Sequence, residues 1–139
     1  MPKWTPNSLI LAAANARKRA VAPYSKFLVG AALVTRKGRI ITGANVESAS
    51  YGLTCCAERV ALFKALTEGE KDFVGVAVVT RVPGGAMPCG ACRQLLAEYA
   101  LGAKLWVADS RALKRLREFT VRELLPAAFL DVPEEGAGK

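Results

Sequence analysis

The chain has 139 residues, 52% hydrophobic and 23% charged, with a net charge of +8, four cysteines and no histidine. That length suits one domain whose core holds without staples, and no apolar run approaches the length that spans a bilayer. The lack of histidine excludes a Ser-His-Asp triad, a Cys-His pair and any His-ligated metal, leaving carboxylates, Lys, Tyr or Cys for acid–base work.

Thr5-Pro6 reads as an N-cap followed by proline at the first helical position, so a helix is predicted from there to about Ala20, stopped by Pro23. Residues 27–42 read as a hairpin turning near Lys37-Gly38, with Phe27 opening its first strand; apolar residues on both sides predict cover on both faces. "GANVESASYG" (43–52) is a polar, turn-rich connection. A second helix starts in "TCCAERVALFKAL" (54–66) and ends near Gly69, with Val60, Phe63 and Thr67 on its apolar stripe and Leu62 and Leu66 widening it. "FVGVAVVT" (73–80) is a buried strand, Pro83-Gly84-Gly85 a loop, and a third helix runs from Pro88 or Cys89 to Tyr99. "KLWVA" (104–108) is a short strand, and 111–118 is a loop or one or two helical turns. "VRELLPAAF" (121–129) reads as a brief helix closed by Pro126, and the tail 131–139 as disordered. Strands alternating with helices argue for an α/β sandwich around one sheet, in a single domain over 1–139.

The apolar stretch Leu9–Ala14 precedes the basic Arg17-Lys18-Arg19, the reverse of a signal peptide's order. A cytoplasmic location is therefore expected, where four cysteines suggest metal binding or catalysis before disulfides. The positive charge attracts polyanions in general, and a helical 111–118 would put Arg111, Lys114 and Arg115 on one face. A solvated basic surface is the plainer reading, so neither nucleic acid nor a membrane is expected as a partner.

The chemistry concentrates in two stretches. Cys89 and Cys92 are three apart, which puts both thiols on one face of a helix start, where free N–H groups and the dipole favour thiolates. Alone, C-x-x-C is a redox pair, half of a zinc site or two packed thiols. Cys56 and Glu58 are two apart and diverge in mid-helix, but at a first turn both side chains reach past the helix end. Combining the stretches gives three thiolates and one carboxylate. A catalytic zinc takes three protein ligands and keeps the fourth position for water, with Glu58 beside it as acid and base. Three thiolates on a divalent ion leave net −1, which Arg59 and the two helix N-termini offset. Cys55 reads as a packing thiol, because adjacent helical residues diverge by about 100°. A closed zinc staple, with Glu58 as an N-terminal helix charge, is the bland alternative.

"CAER" followed by "PCGACRQLL", together with "PYSKFLVGAAL" (23–33), "GANVESASYGLT" (43–54) and "VRELLPAAF" (121–129), resembles the small homotetrameric zinc-dependent cytidine deaminases over nearly the whole chain. The resemblance implies a three-layer α-β-α sandwich around a mixed five-stranded sheet, and one zinc ion per subunit on Cys56, Cys89 and Cys92. It implies hydrolytic deamination of cytidine and 2′-deoxycytidine in pyrimidine salvage, with Glu58 as proton shuttle. It also implies that Ala57 meets the base through its backbone, Phe27 packs on the base, and Asn45 and Glu47 hold the ribose 3′-hydroxyl. Ala49, Tyr51 and Phe129 would meet substrate bound in a neighbouring subunit. The chain departs from the family pattern at Ser48, at Cys55 and in the basic segment 108–120. Rival readings are a deaminase for another cytosine-bearing nucleoside, a polynucleotide editor, which a glutamate at the 3′-hydroxyl disfavours, and a non-catalytic zinc-stapled module.

Overall fold

In a computed structural model that describes residues 3–132, three helices and five strands alternate along the chain. The helices are α1 (Pro6–Arg17), α2 (Ala57–Thr67) and α3 (Gly90–Tyr99). The strands are β1 (Gly30–Thr35), β2 (Ile40–Ala44), β3 (Phe73–Thr80), β4 (Lys104–Asp109) and β5 (Arg117–Thr120). They form one sheet in the order β2-β1-β3-β4-β5, parallel only between β3 and β4, where α3 makes the crossover. This is the expected mixed five-stranded sheet.

Alternation along the strands splits the core into two layers. Ala32, Val34, Ala77, Val79, Trp106 and Ala108 meet Leu9, Ile10 and Ala13 of α1. Their neighbours Ala31, Leu33, Val76, Val78, Leu105 and Val107 meet α2 and α3 on the opposite face. α1 starts as the sequence indicates, with Pro6 at its first position and a reciprocal capping box between Thr5 and Ser8.

Several expectations need correcting. α1 ends at Arg17 rather than near Ala20, because Val21 leaves the helix to bridge Val46. Phe27 does not open a strand; β1 begins at Gly30, and the backbone around Phe27 is bound by the Asn45 side chain instead. On α2 the stripe lies elsewhere: Ala57, Ala61, Leu62 and Ala65 are buried, whereas Phe63 and Thr67 are exposed. Segment 111–118 takes the loop alternative rather than the helical one, with turns leading into β5 at Arg117, so Arg111, Lys114 and Arg115 share no helical face. The stretch 121–129 makes only a one-turn 3-10 helix, Arg122–Leu124. The expected disordered tail lies, from residue 133 on, outside the described residues.

Two glycines let helices press onto the sheet. A Cβ on Gly30 would stand 1.9 Å from the Ala13 carbonyl oxygen of α1. A Cβ on Gly43 would stand 2.5 Å from the Ala61 nitrogen and 2.8 Å from the Ala57 oxygen of α2. The small face of α2 thus seats the helix directly on β2, which fixes where its N-terminus lies.

Candidate active site

The N-termini of α2 and α3 meet at one place. Cys56 is the N-cap of α2 and Cys89 the N-cap of α3, and neither makes a side-chain capping bond. Their sulfurs lie 3.9 Å apart, Cys89 and Cys92 are 3.5 Å apart, and all three thiols fall within 4.8 Å of one another. A tetrahedral zinc with Zn–S bonds of ~2.3 Å separates its sulfurs by about 3.8 Å, so this donor set fits one zinc ion with a position left over. Cys55 stands outside the cluster; its backbone exchanges two hydrogen bonds with Val46, and burial pushes its thiol pKa up.

Electrostatics within the cluster are uneven. Contact with the Cys92 thiol, with help from Arg59, brings Cys56 down to about 5. The same contact and burial push Cys92 up. The Arg59 Nη2 donates to the Thr54 carbonyl and lies 3.5 Å from the Cys56 sulfur, and that contact with the thiolate raises the guanidinium's own pKa. A cation therefore stands where the sequence places one, against the ligand thiol of its own helix.

Glu58 is 5% exposed and occupies the second position of α2, two residues after Cys56. Burial pushes its carboxyl up to about 7, and the Cys56 thiolate acts in the same direction. Cys56, Ala57, Glu58 and Cys89 line a cavity of about 210 Å³ whose other walls include Phe27, Asn45, Val78, Thr80 and Met87. Thr54 joins it to a second cavity of about 360 Å³, lined by Tyr24, Ser25, Glu47, Ser48 and Tyr51. A wider groove of about 710 Å³ lies between α1 and residues 110–115, and no thiol or carboxylate lines it.

Asn45 is 7% exposed and uses both ends of its amide: Oδ1 accepts from the Val29 N–H at 2.8 Å, and Nδ2 donates to the Phe27 carbonyl at 2.9 Å. This presents Phe27, 42% exposed, at the cavity wall and leaves one amide N–H to donate. The Glu47 carboxylate accepts from the Tyr24 and Ser25 N–H groups at 3.1 and 3.0 Å and from the Ser25 hydroxyl. The Ser25 hydroxyl is the main cause holding that carboxyl below its usual range. Tyr51, 83% exposed, borders the second cavity, whereas Ala49 and Phe129 are exposed and line neither. The Phe129 carbonyl is held by the Gln94 amide of α3.

Sequence reasoning passed over Ser25, Thr80 and Arg93. Arg93 donates to the carbonyls of Pro88 and Leu124, tying the start of α3 to the C-terminal segment. Ser25 lies two residues before Phe27 in "PYSKF", and that proximity is the one local signal that could have singled it out.

Comparison with known proteins agrees with this geometry. Residues 5–108 match the cytidine and deoxycytidylate deaminase zinc-binding region. The chain is 51% identical over 122 residues to the cytidine deaminase of Halalkalibacterium halodurans, covering 87% of this chain and 91% of that one. It is 46% identical over 121 residues to the cytidine deaminase of Sporosarcina psychrophila, covering 87% and 88%. The crystal structure of cytidine deaminase from Burkholderia pseudomallei superposes with a TM-score of 0.85 at 46% identity, covering 91% of this chain and all of that one.

Proposed function

This chain belongs to the cytidine and deoxycytidylate deaminase family, and we propose that it hydrolyses cytidine and 2′-deoxycytidine to uridine and 2′-deoxyuridine with release of ammonia. It is a zinc-dependent hydrolytic deaminase. The observation that carries the substrate reading is the shared cavity: Glu58 is buried beside the three thiols, and Asn45 and Glu47 stand next along the same cleft.

Cys56, Cys89 and Cys92 would hold the zinc ion, which when bound would supply Lewis acidity to a water at neutral pH. Glu58 manages the protons. Its carboxylate takes the proton that the attacking water loses and gives it to the ring nitrogen beside the attacked carbon. Glu58 then passes the proton of the newly added hydroxyl to the amino group, the carbon–nitrogen bond breaks, and ammonia leaves as the carbon–oxygen bond becomes the carbonyl of uridine. Burial raises this carboxyl above its ordinary range, toward the region where one group can both take and give a proton. A staple would not need such a group buried beside its metal.

Ala57 is the first residue of α2, where the backbone N–H has no partner within the helix and can meet the base carbonyl. Phe27 packs on the ring, and the free Asn45 N–H and the Glu47 carboxylate take the ribose 3′-hydroxyl. The carboxylate there disfavours a continuing phosphodiester. Arg59 offsets the negative charge of the thiolate cluster. The exposed Ala49, Tyr51 and Phe129 reach a neighbour's cleft in a homotetramer; the bare aromatic rings of Tyr51 and Phe129 support that assembly. The reaction serves pyrimidine salvage in the cytoplasm. No helix among the described residues is long and apolar enough to cross a membrane.

The test is ammonia release from cytidine by wild type and Glu58→Gln at equal zinc content. Wild type is expected to make uridine, and the variant to lose at least ~100-fold. Zinc-loaded wild type that releases no ammonia would overturn the reading.

A further inference from the structure

Thr80 is the last residue of β3 and 1% exposed. Along this strand Val76 and Val78 face α2 and α3, while Ala77 and Val79 face α1. Alternation puts Thr80 on the side of Val78, and both residues line the catalytic cavity with Glu58 and Asn45. Its backbone is fixed on the β4 side: the carbonyl accepts from the Ser110 N–H at 2.7 Å, and the residue pairs in register with Asp109 of β4. Its Oγ1 is buried and has no hydrogen-bond partner among the described residues.

Such a group is costly. A buried hydroxyl without a partner loses its hydration and gains nothing, whereas valine, of nearly the same shape, would fill the site without that loss. The same cavity carries the polar side chains of Asn45, Thr54 and Glu58, but among the described residues none of them reaches Oγ1 within hydrogen-bond distance. A partner must come from what enters the cavity. On the deaminase reading that is a pyrimidine, whose amine, ring nitrogen and carbonyl form one polar edge.

We propose that the Thr80 hydroxyl hydrogen-bonds the polar edge of the bound pyrimidine and is a specificity-determining contact of this site. This rests on the proposed nucleoside substrate. Where the contact is to the ring carbonyl, the one atom of that edge the reaction leaves unchanged, it acts on binding more than on turnover.

The experiment compares wild type, Thr80→Val and Thr80→Ser for cytidine kinetics, for inhibition by uridine, for zinc content and for thermal stability. We expect Thr80→Val to raise KM and the uridine inhibition constant about 5- to 10-fold with kcat within about 2-fold, since one neutral hydrogen bond is lost. We expect it to keep its zinc and to melt at or above the wild-type temperature. Thr80→Ser, which restores the hydroxyl, should recover most of the affinity. A valine variant as efficient as wild type overturns the inference, and so does a serine variant as impaired as valine, which would assign the effect to the lost methyl. Wild type that releases no ammonia sinks the deaminase reading itself, whereas active wild type beside an equally active valine variant sinks this inference alone.

Discussion

Gly43→Ala tests whether the seat of α2 on β2 sets the catalytic geometry. The added Cβ would lie 2.5 Å from the Ala61 nitrogen, 2.8 Å from the Ala57 oxygen and 3.0 Å from the Ala61 Cα, all backbone atoms that no rotamer change can move aside. Restoring ordinary contact requires the helix to retreat by about 0.9 Å at Ala61, in a core packed as densely as a crystal. Overpacking of this kind costs about 1–3 kcal/mol, which lowers the melting temperature by roughly 4–12 °C for a domain of this size. The shift reaches the site directly, because the clash includes Ala57, which stands between Cys56 and Glu58. A misplacement of that order lowers kcat/KM by about 10- to 100-fold. The assay pairs a thermal melt with cytidine turnover, using Gly102→Ala as control, since a Cβ at Gly102 meets nothing within 4 Å. A Gly43→Ala protein that melts and turns over like the control would refute the argument that this contact positions the site.

Two further outcomes follow from the polar groups around the cleft. Arg59→Gln removes the cation 3.5 Å from the Cys56 sulfur and should weaken zinc retention against a competing chelator by about 10- to 100-fold; unchanged retention would show that the helix N-termini suffice. The Glu47 carboxyl is held below its ordinary value of 4.5, chiefly by the Ser25 hydroxyl. Its ionised form is thus favoured in the fold: the contribution is complete above that ordinary value and fades only as pH falls through the lower folded one. Ser25→Ala should move the acid rise in KM for cytidine to higher pH; an unmoved acid limb would remove Ser25 from that role.

How much of this was legible in the sequence depends on how local the signal is. Thr5-Pro6 and the Cys56, Glu58, Cys89 and Cys92 spacings are properties of a few adjacent residues, and the fold keeps them. α2 misleads because its sheet-facing side is alanine. Ala57, Ala61 and Ala65 are small to suit Gly43, so the larger Phe63 draws a stripe that the tertiary packing leaves outside. β5 is four residues long at a sheet edge, with only Phe119 partly buried, too short to display a period. The segment around Phe27 reads as strand because it is apolar, yet its conformation is decided by Asn45, eighteen residues away. Thr80 could not be singled out at all, since its cost exists only once the strand is buried.

The two N-caps show a choice between stability and chemistry that can be measured. Helix N-caps are ordinarily Ser, Thr, Asp or Asn, whose side-chain oxygens satisfy a free N–H of the first turn, worth about 1 kcal/mol each. α1 uses this device fully through Thr5, whereas α2 and α3 begin at Cys56 and Cys89 with no side-chain capping bond. The thiols face each other across 3.9 Å instead of turning back to their own helices. Replacing both by serine restores a capping oxygen at each helix start while destroying the ligand set. With chelator present, Cys56→Ser/Cys89→Ser should therefore melt above wild type, by the order of 1–2 kcal/mol. With zinc present the ranking should invert, because only wild type gains the free energy of metal binding, which adds directly to folding stability. A double variant that melts below wild type in chelator would show that the thiols stabilise these helix starts by packing, and that no stability is given up to hold the metal.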